Sequence, residues 1–204
     1  NSSFPYQFLM ENLQIQNNLI DSALKFDIEK FIFLGSSCVY PRMDPQPLKE
    51  AYLLTDSSEP SNEWYAIAKI AGIKACQAIR KQFGKDYISL IPSNIYGIND
   101  NFDLETSHVL QALIRKFNDA VENDDKFVTL WGDGSPIREF TFVDDIARAI
   151  IFAIENRLPE SLYNIGSGDE ISIKELAIKV QKITGFKGET IWDKTKPNGT
   201  PRKL

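Results

Sequence analysis

From Pro5 to Phe26 apolar side chains return at Phe8, Ile15, Leu19 and Ala23, a spacing that lays one stripe along a helix and predicts one here. The pattern then changes. Lys30-Phe31-Ile32-Phe33-Leu34-Gly35 is short and continuously apolar after its lysine, as expected of a strand covered on both faces. It runs into Ser36 and Ser37, then into a loop broken by Pro41, Pro45 and Pro47. A helical pattern around Tyr65 and Lys69 follows, and Tyr87-Ile88-Ser89-Leu90-Ile91 reads as the next buried strand, leading to Pro92-Ser93-Asn94. Strands and helices in alternation predict an α/β fold on a doubly wound parallel sheet.

Past Gly97 the elements shorten. Asp100-Asn101-Phe102-Asp103 reads as a loop, Ser107 to Val121 as a helix, and Phe127 to Trp131 as a strand closed by Gly132 and Gly134. Asp144 to Glu155 is a further helix, Leu162 to Gly166 a strand, and Ser172 to Thr184 a helix whose Ser172 and Glu175 form a capping box. The adjacent Asp144 and Asp145 resemble a catalytic carboxylate pair, but acidic residues also favour the positive start of a helix, and that reading is preferred.

Composition narrows the classes. The 204 residues suit one domain or a large and a small lobe, and 43% apolar content with three tryptophans supports a packed core. A net charge of −5 argues against non-specific nucleic-acid binding. No apolar run approaches the ~20 residues that span a bilayer, so no membrane association is expected. Cys38 and Cys76 make a weak disulfide case, and with one histidine in the chain no metal site is expected. A reducing, cytoplasmic setting is the expectation.

Tyr65 and Lys69, four apart, share a helix face. An ammonium near a phenol favours the phenolate and lowers a pKa of about 10, which makes the phenol a useful proton carrier beside a carbonyl. The spacing alone also fits an ordinary surface pair. The upstream strand ending in small hydroxyl residues strengthens the catalytic reading, because open α/β sheets place ligands at such strand ends.

These two segments resemble the extended short-chain dehydrogenase/reductase superfamily. The runs LGSSCVYP, EPSNEWYAIAKIAGIK, SNIYGINDNF, SHVLQALIRKF, WGDGSPIREF and KPNGTPRKL resemble, within it, the GDP-L-fucose synthase family over nearly the whole chain. The resemblance implies a Rossmann-type fold and NADPH-dependent 3,5-epimerisation and 4-reduction of GDP-4-keto-6-deoxy-D-mannose. Ser36, Tyr65 and Lys69 would be the reductase trio, and Cys38 and His108 the groups that invert carbons 3 and 5. Leu34, Gly35, Ser36, Ser37, Lys69, Pro92, Ser93, Asn94, Ile95 and His108 would contact NADP(H). Lys116, Trp131, Arg138 and Lys203 would hold the GDP-sugar, Lys116 standing where the family commonly has arginine.

The same resemblance implies residues 1–97 and 139–165 as part of a dinucleotide-binding domain, 98–138 and 166–204 as a substrate lobe, and a homodimer. The glycine-rich turn G-x-x-G-x-x-G that such a domain uses for pyrophosphate does not occur in the sequence, which therefore reads as an excerpt, inactive alone. Another nucleotide-sugar epimerase or reductase of the superfamily, or a non-catalytic truncated piece, are the competing readings.

Overall fold

The computed structural model describes residues 4–42 and 45–204. Along the chain come α1 (Pro5–Lys25), β1 (Lys30–Leu34), α2 (Glu63–Phe83), β2 (Asp86–Pro92), β3 (Asn94–Tyr96), α3 (Val109–Glu122) and β4 (Phe127–Trp131). There follow β5 (Ile137–Phe142), α4 (Val143–Glu155), β6 (Leu162–Ile165), β7 (Glu170–Ser172), α5 (Ile173–Thr184), β8 (Glu189–Asp193) and β9 (Arg202–Lys203). They divide into two units, Asn1–Ser93 with Asp144–Gly166, and Asn94–Val143 with Ser167–Leu204.

The first unit is a parallel sheet in the order β1-β2-β6. Every residue of β2 is buried because helices cover both faces. On one side Tyr87 and Ile91 meet Ile20 of α1 and Ala66, Ile73 and Cys76 of α2; on the other, Ile88 and Leu90 meet Ala153 and Ile150 of α4. This double cover is why the strand pattern lacks alternation. The fold is therefore α/β, doubly wound and Rossmann-like.

Close packing sets α2 against β1. A Cβ added to Gly72 would fall 2.3 Å from Cζ of Phe33, so only glycine admits that ring. From α1, the buried Gln16 amide donates to the Ala68 carbonyl of α2 at 2.6 Å. At the opposite end of the strands, Asp86 is 2% exposed and is paired with Arg80 at 2.6 Å and Lys30 at 2.9 Å. Lys30 also donates to the Ala153 and Asn156 carbonyls, and Arg80 to those of Leu158 and Pro159, so one cluster joins β1, β2, α2 and the end of α4.

In the second unit β5 pairs in parallel with β3 and β9 and antiparallel with β7, while β4 and β8 form a parallel pair. Leu110, Leu113 and Phe117 of α3 pack with Val128 and Leu130 of β4 and Leu176 and Val180 of α5. The sequence pattern starts α3 at Ser107; it begins at Val109, because His108 holds an extended N-cap backbone at φ −77° and ψ 169°. The capping box of Ser172 and Glu175 is present at α5. Asp144 and Asp145 lie in the first turn of α4, with Asp145 paired to Arg148.

Candidate active site

Where β1 ends, the chain turns through a short 3-10 segment, Ser37–Val39, with Ser36 as its cap. The Ser36 hydroxyl accepts from the Cys38 amide at 3.5 Å. Cys38 is 8% exposed and packs in the core cluster that contains Val39, Tyr40 and Ala66, and Tyr65 lies against the same cluster. One turn further along α2, Lys69 donates to the Leu34 carbonyl at 3.0 Å, with its ammonium 5.0 Å from the Phe33 ring centroid and 5.7 Å from that of Tyr65. Strand end, turn and helix thus gather a hydroxyl, a thiol, a phenol and an ammonium within the first unit.

The electrostatics differ from the sequence expectation. Burial, with a smaller contribution from Cys38, raises the Tyr65 phenol above its usual value rather than lowering it. Lys69 is seated over the ring and bonded to a main-chain carbonyl, while burial pushes its own pKa down and Cys38 opposes that. The consequence is a Tyr65 that carries its proton at neutral pH, the state of a donor.

Around this group, Gly35 donates its amide to Leu90 at 2.8 Å, which extends the β1–β2 pairing past Leu34, itself 39% exposed. Ser93, after the buried Pro92, donates its amide to Ile165 at 2.8 Å. Asn94 and Ile95 belong to β3 in the second unit, where the Asn94 amide donates to the Glu139 carbonyl at 2.7 Å. His108 is an exposed residue of the second unit, following a loop in which Asp103 accepts from the amides of Glu105 and Thr106.

The cations and the ring expected to hold substrate all belong to the second unit. Arg138 of β5 and Lys203 of β9 are register partners in a parallel pair, which sets two positive side chains next to each other. Arg138 is half-buried, burial disfavours its charge, and among the described residues no carboxylate pairs with it; Nη1 donates to the Ile137 carbonyl at 2.8 Å. Lys116 donates to the Thr129 carbonyl at 3.0 Å, and burial lowers its pKa. Thr129 and Trp131 lie on the exposed face of β4, where Trp131 is 63% exposed.

The model of the NAD dependent epimerase/dehydratase family matches residues 1–166. The chain belongs to this family. It is 55% identical to GDP-L-fucose synthase 1 of Arabidopsis thaliana over 100% of its own length and 63% of the relative's. To GDP-L-fucose synthase of Escherichia coli K12 it is 45% identical, over 100% of this chain and 66% of that one. The crystal structure of a GDP-L-fucose synthetase from Naegleria fowleri bound to NADP superposes with a TM-score of 0.92 at 29% identity, over 98% of this chain and 64% of the other. The chain thus spans a little under two thirds of the length of these relatives.

In this family member three residues near the cations escape the sequence reading. Lys196 stands 5.5 Å from the Trp131 ring centroid, Asn198 accepts from the Asp133 amide at 2.8 Å, and Gly199 lies against the Arg138 guanidinium. Their sequence signals are the turn-forming run Lys196-Pro197-Asn198-Gly199, which marks a loop, and its place in the family run KPNGTPRKL, and neither singles these three residues out as ligand contacts. Among the described residues no cluster of His, Cys, Asp and Glu could hold a metal, and no helix is long and apolar enough to cross a membrane.

Proposed function

We propose that the whole protein is an NADPH-dependent GDP-L-fucose synthase, which inverts carbons 3 and 5 of GDP-4-keto-6-deoxy-D-mannose and reduces carbon 4. The grouping of Ser36, Cys38, Tyr65 and Lys69 at the end of β1 is the observation that carries this reading. High identity to relatives named for that activity supports it.

The donor set suits a nicotinamide nucleotide. Lys69 has three N–H donors, and one is engaged by Leu34, so two remain for ribose hydroxyls. When bound, that cofactor supplies hydride to carbon 4. Ser36 and Tyr65 hydrogen-bond the keto oxygen, and Tyr65, kept protonated by burial, gives it the proton. Before that, a ketone at carbon 4 acidifies the protons at carbons 3 and 5, because the carbanion delocalises as an enolate. Cys38 and His108 are assigned to remove and return those protons, since a thiol (pKa about 8.5) and an imidazole (about 6.5) titrate closer to neutrality than serine or lysine.

Arg138 and Lys203 are assigned to the diphosphate, Lys116 and Trp131 to the rest of the GDP-sugar, and Leu34 to Ser37, Pro92 to Ile95 and His108 to the cofactor. The adjacency of Arg138 and Lys203 supports the first assignment, because two cations on paired strands can meet the oxygens of one diphosphate together. The proposal includes a cytoplasmic homodimer. Ile15 and Leu19 of α1 and Ile67 of α2, all more than 40% exposed, give that contact an apolar surface.

Tyr65→Phe tests the function in the whole protein. Reduction, followed as NADPH oxidation, is expected to fall roughly 10²- to 10⁴-fold while GDP-sugar affinity is kept. Undiminished turnover rejects the assignment.

A further inference from the structure

We propose that Glu170 and Arg202 are a positioning pair, which clamps β9 onto β5 and so holds Lys203 beside Arg138 for the diphosphate. The inference rests on the reading of Arg138 and Lys203 as the diphosphate cradle and goes beyond it, to two residues that act on the ligand only through Lys203.

Strand β9 is two residues long, and its register on β5 consists of Ile137 with Arg202 and Arg138 with Lys203. So short a ladder holds weakly. Just before it, the Ile137 amide donates to the Pro201 carbonyl at 2.8 Å. A side chain adds a further tie. Arg202 reaches across β5 to Glu170 of β7, its Nε and Nη2 donating to the two carboxylate oxygens at 2.7 Å each. Strand β7 pairs with β5 over Ile137, Arg138 and Glu139, on the edge opposite to β9, so the bridge spans β5 and joins its two neighbours.

Successive side chains of a strand point to opposite faces. Arg202 therefore shares a face with Ile137, Glu139 and Glu170, whereas Lys203 shares the other with Arg138. The bridge works from behind the cation pair and leaves it clear. On the bridge's own face, the Glu139 carboxylate is buried and takes the Gly168 amide at 2.7 Å, which leaves Arg202 to Glu170. The hydrogen bond from Arg202 lowers the pKa of Glu170, and that same bond raises the pKa of Arg202, so each keeps the other charged. The two side chains are 40% and 33% exposed, and an ion pair so open to water adds little to the stability of the whole chain. What a planar fork against a planar carboxylate supplies is direction. Its effect falls on where β9 lies, and hence on Lys203.

Calorimetric titration of the whole protein with GDP, alongside urea unfolding, tests this. Arg202→Gln and Glu170→Gln are each expected to weaken GDP about tenfold while the urea midpoint hardly moves. The exchanged pair, Glu170→Arg with Arg202→Glu, should recover most of the affinity. Because the pair acts through Lys203, Arg202→Gln added to Lys203→Met should weaken GDP no further than Lys203→Met alone. Normal GDP binding in both glutamine variants, a full second loss in that combination, or an exchanged pair that recovers nothing overturns the positioning role while the cradle reading stands. A loss of affinity matched by a fall in the urea midpoint makes the bridge merely structural and overturns it too. Normal GDP binding by both Arg138→Met and Lys203→Met, or an unaltered protein that does not bind GDP, overturns the cradle reading and the inference with it.

Discussion

The Lys69 ammonium is bonded to the main-chain carbonyl of Leu34 at 3.0 Å, so a side chain of α2 reaches the last residue of the strand on which the helix packs. That reach depends on how closely the helix lies, and three residues on from Lys69 the spacing is set by Gly72 against Phe33. Gly72→Ala is expected to cost about 1–3 kcal/mol by overpacking, and to impair reduction by carrying Lys69 away from Leu34. Phe33→Leu in the same chain should recover part of both losses. Denaturant midpoints and NADPH oxidation for the single and double variants decide it; a Gly72→Ala protein of undiminished stability would show that the contact sets no spacing.

Cys38 and His108 should separate epimerisation from reduction. In the whole protein Cys38→Ser is expected to lose solvent deuterium exchange at carbons 3 and 5 by roughly 10²-fold or more, and His108→Asn to impair the same exchange. Hydride transfer to an already inverted keto sugar should survive in Cys38→Ser, because Ser36, Tyr65 and Lys69 are untouched. Mass spectrometry of the sugar together with NADPH absorbance reads the two stages. Normal exchange in both variants would make these residues structural.

Asp86 neutralises two cations that are themselves less than a quarter exposed. Asp86→Ala removes their shared partner and leaves both charges inside, for an expected loss of about 3–5 kcal/mol. Urea unfolding measures it, and a loss below about 1 kcal/mol would mean that water replaces the carboxylate without penalty.

Cys76 is fully buried, and burial pushes its thiol up to about 12, with the Ser89 hydroxyl opposing the rise. A raised pKa means that the folded state keeps the proton longer than the unfolded one. The stability from this group is therefore whole below a thiol's ordinary pKa and disappears as pH rises towards about 12. Chemical denaturation from pH 8 upward should show the decline, and Cys76→Ala should flatten it even though it lowers stability at neutral pH. An equally steep decline in that variant would assign the loss to other groups. Native Cys76 should also resist alkylation until the chain unfolds.

The first unit was legible from apolar pattern because its strands are covered on both faces. The run from Phe31 to Leu34 and that from Tyr87 to Ile91 could form little else. Tyr65 and Lys69 were visible for a related reason, since helix periodicity fixes which residues share a face. The second unit was less so. β9 has two residues, β7 three, and β5 mixes Arg138 and Glu139 with apolar positions, so none carries a period long enough to read. Lys196 was hidden because what matters is its position over Trp131, which is 65 residues earlier in the chain and is reached only through the β4–β8 pairing. The pKa of Tyr65 went against the local pattern for the same reason: sequence shows the nearby lysine, whereas burial depends on the whole core.

The pairing of Arg138 with Lys203 has a thermodynamic consequence. Strand β9 is short, and its attachment to β5 brings two cations into register. Any anion that bridges them ties β9 to β5, so anion binding and the docking of β9 share one free energy and each must favour the other to the same degree. Strand β9 then acts as a reporter of its own ligand. Its amides should become slower to exchange as the anion binds.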